Sequence, residues 1–145
     1  DTIKGEIIWW SSGAQSQQLL ASAEAAFGSF WNGRLTALAA DGMPVETSWD
    51  QNITAADSLV VPKGTQNKAK AMEFIAYATS PKAQAEMAAA TGYAPINLDS
   101  PALMDPAVRK TLPDQQAATQ INADMGYWAK NRDAIGERWY AWQAK

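Results

Sequence analysis

The sequence predicts an α/β protein, a sheet with flanking helices that is followed by a helical C-terminal region. Over the first fifty residues, short apolar segments alternate with amphipathic segments, which is typical of a parallel sheet and the helices that cover it. The last third has two pairs of a capping residue and a proline, followed by a long segment with aromatic residues at helical spacing.

The first strand is predicted at residues 5–10 (GEIIWW), a short apolar run typical of a strand buried on both faces. An amphipathic helix is predicted at residues 15–27, where apolar residues recur at four-residue spacing. Ser11 or Ser12 would cap this helix.

Two further strands are predicted at residues 29–31 and 44–49, with a helix at residues 34–40 between them. The sequence Asn32-Gly33 is a turn signal that separates the second strand from this helix. Residues 50–56 are polar and contain no clear element.

One strand and two helices are predicted in the middle of the chain. The strand is DSLVV at residues 57–61, and Asn67 would cap the first helix. Ser80-Pro81 is a cap followed by a proline at the first helical position, and this second helix would end at Gly92. Two short helical turns and a closing helix at residues 126–143 follow, with Trp128, Trp139 and Trp142 assigned to packing.

Composition excludes several classes of function. The 145 residues are 47% apolar and contain neither cysteine nor histidine, which excludes disulfides, thiolate or histidine catalysis and a typical zinc site. The net charge of −3 without a basic patch argues against nucleic acid as a partner. The chain begins at Asp1 without an initiator methionine or a signal peptide, so we expect a fragment or a processed product.

Several short phrases occur together in one order. They are WNG at residues 31–33, DSLVVPKG at 57–64, SP at 80–81 and GYAPIN at 92–97. In this order and spacing the chain resembles the C-terminal half of periplasmic binding proteins of the spermidine/putrescine type, from about Trp10 to its end. Within that family it is most similar to members that bind gamma-aminobutyrate or related amino acids.

The resemblance implies a periplasmic receptor of an ABC importer, with a type II binding-protein fold of two lobes, no catalytic residues and no cofactor. Residues 1–53 would belong to the second lobe, residues 54–96 would cross to the first lobe, and residues 97–145 would be helices that pack on the second lobe. The N-terminal half of the family's fold is not in this chain. We therefore expect an exposed apolar face, and dimerisation or swapping of the chain alone.

Arg34 is the first candidate site residue. It follows a turn at the end of a predicted strand, where ligands of open α/β sheets are bound, and its planar fork matches a carboxylate. The polyamine binders of the family have a small residue here, so the resemblance implies a solute with a carboxylate. The alternative is a solvated arginine in the first turn of a helix.

Three further residues are candidates because they match contact residues of the family. Asp57 would pair with the solute's amine, Trp31 would lie against its alkylammonium chain, and Tyr93 would line the cleft. The alternatives are a loop cap for Asp57, a core tryptophan, and a packing role at the hinge for Tyr93. Ala55 stands where the family often has another tryptophan, which argues against a long polyamine.

The leading hypothesis is a transport receptor for a small zwitterionic amine such as gamma-aminobutyrate, which closes around the solute and then binds a membrane permease. A polyamine is the second candidate solute. Two other classes are less favoured: a carbohydrate-binding protein, suggested by the seven tryptophans, and an enzyme, for which no nucleophile elbow or phosphate loop is present.

Overall fold

The computed structural model describes residues 2–145, which are mostly helical with one small sheet. Short 3-10 turns at Lys4–Glu6, Ser100–Leu103, Pro113–Gln115 and Ala117–Thr119 connect the longer elements. The described α-helices are α1 (Gly13–Ala21), α2 (Asn32–Ala40), α3 (Lys68–Ala78), α4 (Pro81–Thr91), α5 (Pro106–Arg109) and α6 (Met125–Gln143). Two strands, β1 (Ile53–Thr54) and β2 (Ile121–Asn122), pair in parallel.

The strands predicted from the sequence are wrong in position. Residues 5–10 begin in a 3-10 turn and continue without a ladder, and residues 29–31, 44–49 and 57–61 also lack ladder partners among residues 2–145. A strand is stable only when its backbone groups find partners, and apolar character alone does not supply them. The observed strand β1 lies instead in the polar residues 50–56, where no element was predicted.

The cap positions of α1, α3 and α4 were predicted correctly because capping is a local interaction. Ser12 accepts a hydrogen bond from the backbone of Gln15 at the start of α1, and Ser80 caps α4 in the same way. Asn67 occupies the cap position of α3 but makes no side-chain cap bond. The Asn32-Gly33 sequence is not a turn before α2 but forms its first turn.

Helix α1 ends six residues earlier than the apolar spacing predicted. The Ser22 hydroxyl donates to the carbonyl of Gln18, and Ala23 then adopts a left-handed backbone with a φ of 57°. A left-handed residue cannot continue an α-helix, so Phe27 lies outside the helix and is exposed.

The buried core is small and lies where the helices cross. Helix α1 packs on α2, α2 on α4, and α4 on both α3 and the turn at Ser100–Leu103. Among residues 2–145, the fully or nearly buried apolar residues are Leu19, Leu38, Ala85 and Ala88 on these helices, and Leu112 in the loop after α5.

A buried glutamine holds α4 to its neighbours. The amide nitrogen of Gln84 donates to the carbonyl of Ala78 at the end of α3 at 2.7 Å, and its oxygen accepts from the backbone of Ile96 at 3.1 Å. Ser100 is also buried and donates to the carbonyl of Pro81 at 2.9 Å. These groups are buried without penalty because each one is hydrogen-bonded.

Asn52 organises the two-stranded sheet. Its amide nitrogen donates to the carbonyls of Trp49 at 2.8 Å and Gln116 at 3.1 Å, and its side-chain oxygen accepts from Gln120 at 3.1 Å. The backbone carbonyl of Asn52 accepts from Ile121 at 2.8 Å, the bond that starts the pairing of β1 with β2. One side chain therefore joins two segments that lie far apart in sequence.

The closing helix α6 was predicted to within one residue at its start. It is held at its C-terminal end, where Trp139 and Trp142 contact Trp9. Trp128, near the other end, contacts the neighbouring Tyr127 ring. Over residues 2–145, every helix is too short or too polar to cross a membrane.

Gly92 ends α4 with a left-handed φ of +75°, and a β-carbon there would lie 2.2 Å from the Thr36 hydroxyl on α2. Gly42 has a similar φ of +80° but open space around it. We expect Gly42→Ala to lower the free energy of unfolding by about 1–2 kcal/mol, the cost of a left-handed alanine. Gly92→Ala should cost about 1–3 kcal/mol more, because the methyl group must also displace α2. Denaturant unfolding of both variants measures the difference, and equal costs would contradict this packing.

Candidate functional site

Trp31 and Arg34 lie at the start of α2. Trp31 occupies the cap position with an extended backbone, and its carbonyl accepts the backbone hydrogen bond of Arg34 at 2.9 Å. The Trp31 ring is 53% exposed, so it is not the core tryptophan of the alternative interpretation. Arg34 is half-buried, so it is also not a freely solvated side chain.

Both side chains lie over Gly13, the first residue of α1. A β-carbon at Gly13 would stand 2.6 Å from Arg34 Nε and 2.9 Å from ring carbons of Trp31. The guanidinium group is thus beside the N-terminus of α1, where backbone amides and the helix dipole also favour negative charge. Gly13 was not predicted as a site residue, because a glycine after two serines gives no sign of which side chains approach it.

Tyr93 joins this site through the contact between α2 and the end of α4. The Asn32 amide donates to the carbonyl of Gly92 at 2.7 Å. A β-carbon at Gly33 would stand 2.9 Å from Tyr93 Cζ and 2.9 Å from the carbonyl oxygen of Thr91. The Tyr93 ring therefore lies against the first turn of α2 and remains 42% exposed.

Trp10 is the second aromatic residue next to Trp31. The two rings meet edge to face with centroids 5.5 Å apart and planes at 84°. The indole nitrogen of Trp10 donates to the carbonyl of Ser29 at 3.1 Å, which fixes the orientation of its ring.

Asp57 differs from the other three predicted site residues. It lies in the exposed segment after β1, and no hydrogen bond or ion pair joins it to Trp31, Arg34 or Tyr93. Arg34 and Asp57 form no ion pair with each other. The structure brings Trp31 and Arg34 together and places Tyr93 against the adjoining Gly33, whereas no hydrogen bond or ion pair joins Asp57 to any of the three.

Arg34 has no acidic partner within residues 2–145, where the ion pairs are Lys70–Glu73 and Lys82–Glu86. A half-buried guanidinium without a carboxylate keeps its fork of donors available for an anionic group. The same part of the chain contains no cluster of acidic residues that could hold a metal ion. Chemically, the site offers a guanidinium that matches a carboxylate, beside the contacting rings of Trp31 and Trp10.

The model of a family described as bacterial extracellular solute-binding protein matches residues 1–120 of this chain. The chain belongs to this family. Its members are solute-binding proteins and not enzymes, as predicted. The resemblance described from the sequence phrases is confirmed, as is the periplasmic location.

Two curated relatives support the same family assignment. The gamma-aminobutyric acid-binding protein of Pseudomonas aeruginosa is 31% identical over 149 residues, which cover 100% of this chain and 42% of that protein. The spermidine/putrescine-binding periplasmic protein of Salmonella typhimurium is 30% identical over 125 residues, which cover 81% of this chain and 34% of that protein. The chain thus spans less than half the length of these relatives.

Two solved structures share the fold. The structure of the Atu4243 GABA receptor is 73% identical and superposes with a TM-score of 0.89, covering 100% of this chain and 45% of the receptor. The binding protein AgtB from A. tumefaciens R10, in complex with agropinic acid, is 28% identical with a TM-score of 0.85, covering 99% of this chain and 46% of AgtB. These matches confirm the predicted periplasmic-binding-protein fold class.

Replacing Gly13 tests the packing of the site. We expect Gly13→Ala to push Arg34 and Trp31 off the start of α1, and to lower the free energy of unfolding by about 1–3 kcal/mol, the usual cost of overpacking. Near-ultraviolet circular dichroism should report the displaced indole. Gly5→Ala is the control, because no atom lies within 4 Å of a β-carbon at that position. Identical spectra and stabilities for the two variants would contradict the contact.

Proposed function

We propose that the protein carrying this chain is the solute-binding component of a bacterial ABC importer, and that it binds a small zwitterionic amine such as gamma-aminobutyrate. The observation that supports this most strongly is Arg34. Its guanidinium lies beside the N-terminus of α1 and has no acidic partner in the described part of the chain. A solute carboxylate would supply the missing charge in bidentate geometry.

The other predicted site residues would hold the rest of the solute. Trp31, beside Arg34, and Tyr93, against Gly33, are both partly exposed and would contact the alkyl chain, with a cation–π contribution of about 1 kcal/mol from the ammonium. Asp57 would pair with the ammonium. Because Asp57 contacts none of the other three here, we propose that it reaches the solute when the receptor closes.

A polyamine is the second candidate solute, since one relative is named for spermidine and putrescine. A diamine would place an ammonium at each end of the site, and Arg34 would repel one of them. The names of the gamma-aminobutyric acid-binding protein and the GABA receptor support the zwitterion instead. A neutral carbohydrate has no negative charge to pair with the guanidinium.

We further propose how the chain contributes to the two lobes. Residues 1–53 would form part of the second lobe, residues 54–96 would contribute to the first, and residues 97–145 would pack on the second. Strand β1 and the Asn52 hydrogen bonds lie at the proposed crossing after residue 53. The closed receptor would then bind an ABC permease in the membrane.

Isothermal titration of the full-length protein with gamma-aminobutyrate and with putrescine tests the proposed solute. We expect gamma-aminobutyrate to bind more tightly, and Arg34→Ala to weaken it about ten- to hundredfold, the value of charged hydrogen bonds. Arg34→Lys should recover part of this loss, because it keeps the charge without the fork.

The control variant is Arg132→Ala, an exposed arginine on α6. It should leave both affinities unchanged. Tighter binding of putrescine, with no effect of Arg34→Ala, would reject the carboxylate role and favour the polyamine.

We also propose that the chain alone forms a dimer with a second copy of itself. Large apolar residues are exposed along its unpaired extended segments, including Ile8, Leu59 and Val60. Burying such surface is favourable by about 25 cal/mol per Å², and unpaired backbone is a template for pairing. Light scattering after size exclusion should give a mass that rises with concentration towards twice that of the chain. A constant mass equal to one chain would contradict the proposal.

A further inference from the structure

Two neighbouring tryptophans connect the candidate site to the far helix α6. Trp10 contacts Trp31 in the site, whereas Trp9 contacts Trp139 and Trp142 on α6. Successive side chains of an extended backbone point to opposite sides, so these adjacent rings face two different parts of the molecule.

The cluster on the α6 side is well defined. The centroid of the Trp9 ring lies 5.3 Å from that of Trp139 and 5.8 Å from that of Trp142, with interplanar angles of 86° and 87°. These are edge-to-face contacts, the favourable arrangement of aromatic rings. Lys4 adds to the cluster, because its ammonium stands 4.8 Å from the Trp142 ring centroid and donates to the Trp142 carbonyl.

The segment that carries the two tryptophans has few other attachments. Among the described residues, no backbone hydrogen bond joins residues 8–10 to another segment, and they form no ladder. Within residues 2–145, this segment is attached through the Trp10 indole bond to Ser29 and the ring contacts of Trp9 and Trp10.

We propose that Trp9 and Trp139 are positioning residues for the solute site: the contact of Trp9 with α6 sets the position of Trp10, and Trp10 sets the orientation of the Trp31 ring. The solute part of this inference rests on the proposed function. The effect on the positions of the Trp10 and Trp31 rings does not rest on the proposed function, because it concerns the protein without solute. Neither Trp9 nor Trp139 is among the residues expected to touch the solute.

Helix α6 supplies a matched pair of variants for the test. Trp139 is 45% exposed and contacts Trp9, whereas Trp128 is 43% exposed on the same helix and contacts Tyr127. Removing either ring deletes a similar amount of surface from α6. Only the removal of Trp139 takes away a ring that contacts Trp9, and the second contact of Trp9, with Trp142, is left in place.

The experiment uses the full-length protein labelled with 5-fluorotryptophan, without solute. The fluorine resonances of Trp10 and Trp31 are assigned by single replacement with phenylalanine. Trp139→Ala should shift both resonances, and Trp128→Ala should leave both at their wild-type positions. If the alanine variant fails to fold, Trp139→Leu keeps apolar bulk at the position and replaces it. Unchanged resonances in the folded Trp139 variant would overturn the proposal, because another part of the protein would then set the position of Trp10.

Titration with gamma-aminobutyrate supplies the second readout. Trp139→Ala should lower the affinity about three- to tenfold, the scale of one aromatic contact, and Trp128→Ala should not change it. A loss of stability in the Trp139 variant with unchanged affinity would overturn the role in solute binding. If the wild type binds no gamma-aminobutyrate, the proposed function fails, while the fluorine resonances still decide whether α6 positions Trp31.

Discussion

The contact between the start of α2 and the end of α4 is the constraint on which the site depends. Asn32 donates to the carbonyl of Gly92, and Gly33 allows the Tyr93 ring to lie against the first turn of α2. This contact fixes the direction of α2, and the direction of α2 places Arg34 over the start of α1. Without it Tyr93 would be separated from Trp31 and Arg34, which lie together at the start of α2.

Glycine is required at this contact for two different reasons. At Gly92 the backbone is left-handed and Thr36 leaves no space for a side chain, so both conformation and packing exclude other residues. At Gly33 only packing matters, since the neighbouring carbonyl and ring come within the distance that a β-carbon would occupy. Small residues thus allow two helices to approach closely enough to share one site.

The sequence predicted the helices well and the strands poorly, for a physical reason. Ser12 and Ser80 cap helices through bonds to residues three positions away, so the signal lies within a few residues. A strand depends on a partner that can lie anywhere in the chain. Ile53 and its partner Ile121 are separated by nearly half of the chain. The side chain that supports their pairing, Asn52, lies in a segment without apolar periodicity.

The candidate site was predicted in part. Trp31 and Tyr93 were predicted from short phrases shared with a family, whereas Arg34 was predicted from its place after a strand at residues 29–31 that is not observed. The structure places Trp31 and Arg34 over Gly13, and Tyr93 against the neighbouring Gly33. Gly13 was missed, because no local pattern shows that an arginine from another helix approaches it. Asp57 was predicted as a match to a contact residue of the family, and no hydrogen bond or ion pair joins it to the other three.

A crystal structure of the full-length protein with gamma-aminobutyrate bound tests the central claim most directly. The account predicts that the carboxylate lies about 2.7–2.9 Å from two guanidinium nitrogens of Arg34, with the alkyl chain against Trp31 and the ammonium at Asp57. A solute bound with its carboxylate away from Arg34, or with its ammonium nearest to that guanidinium, would contradict the account.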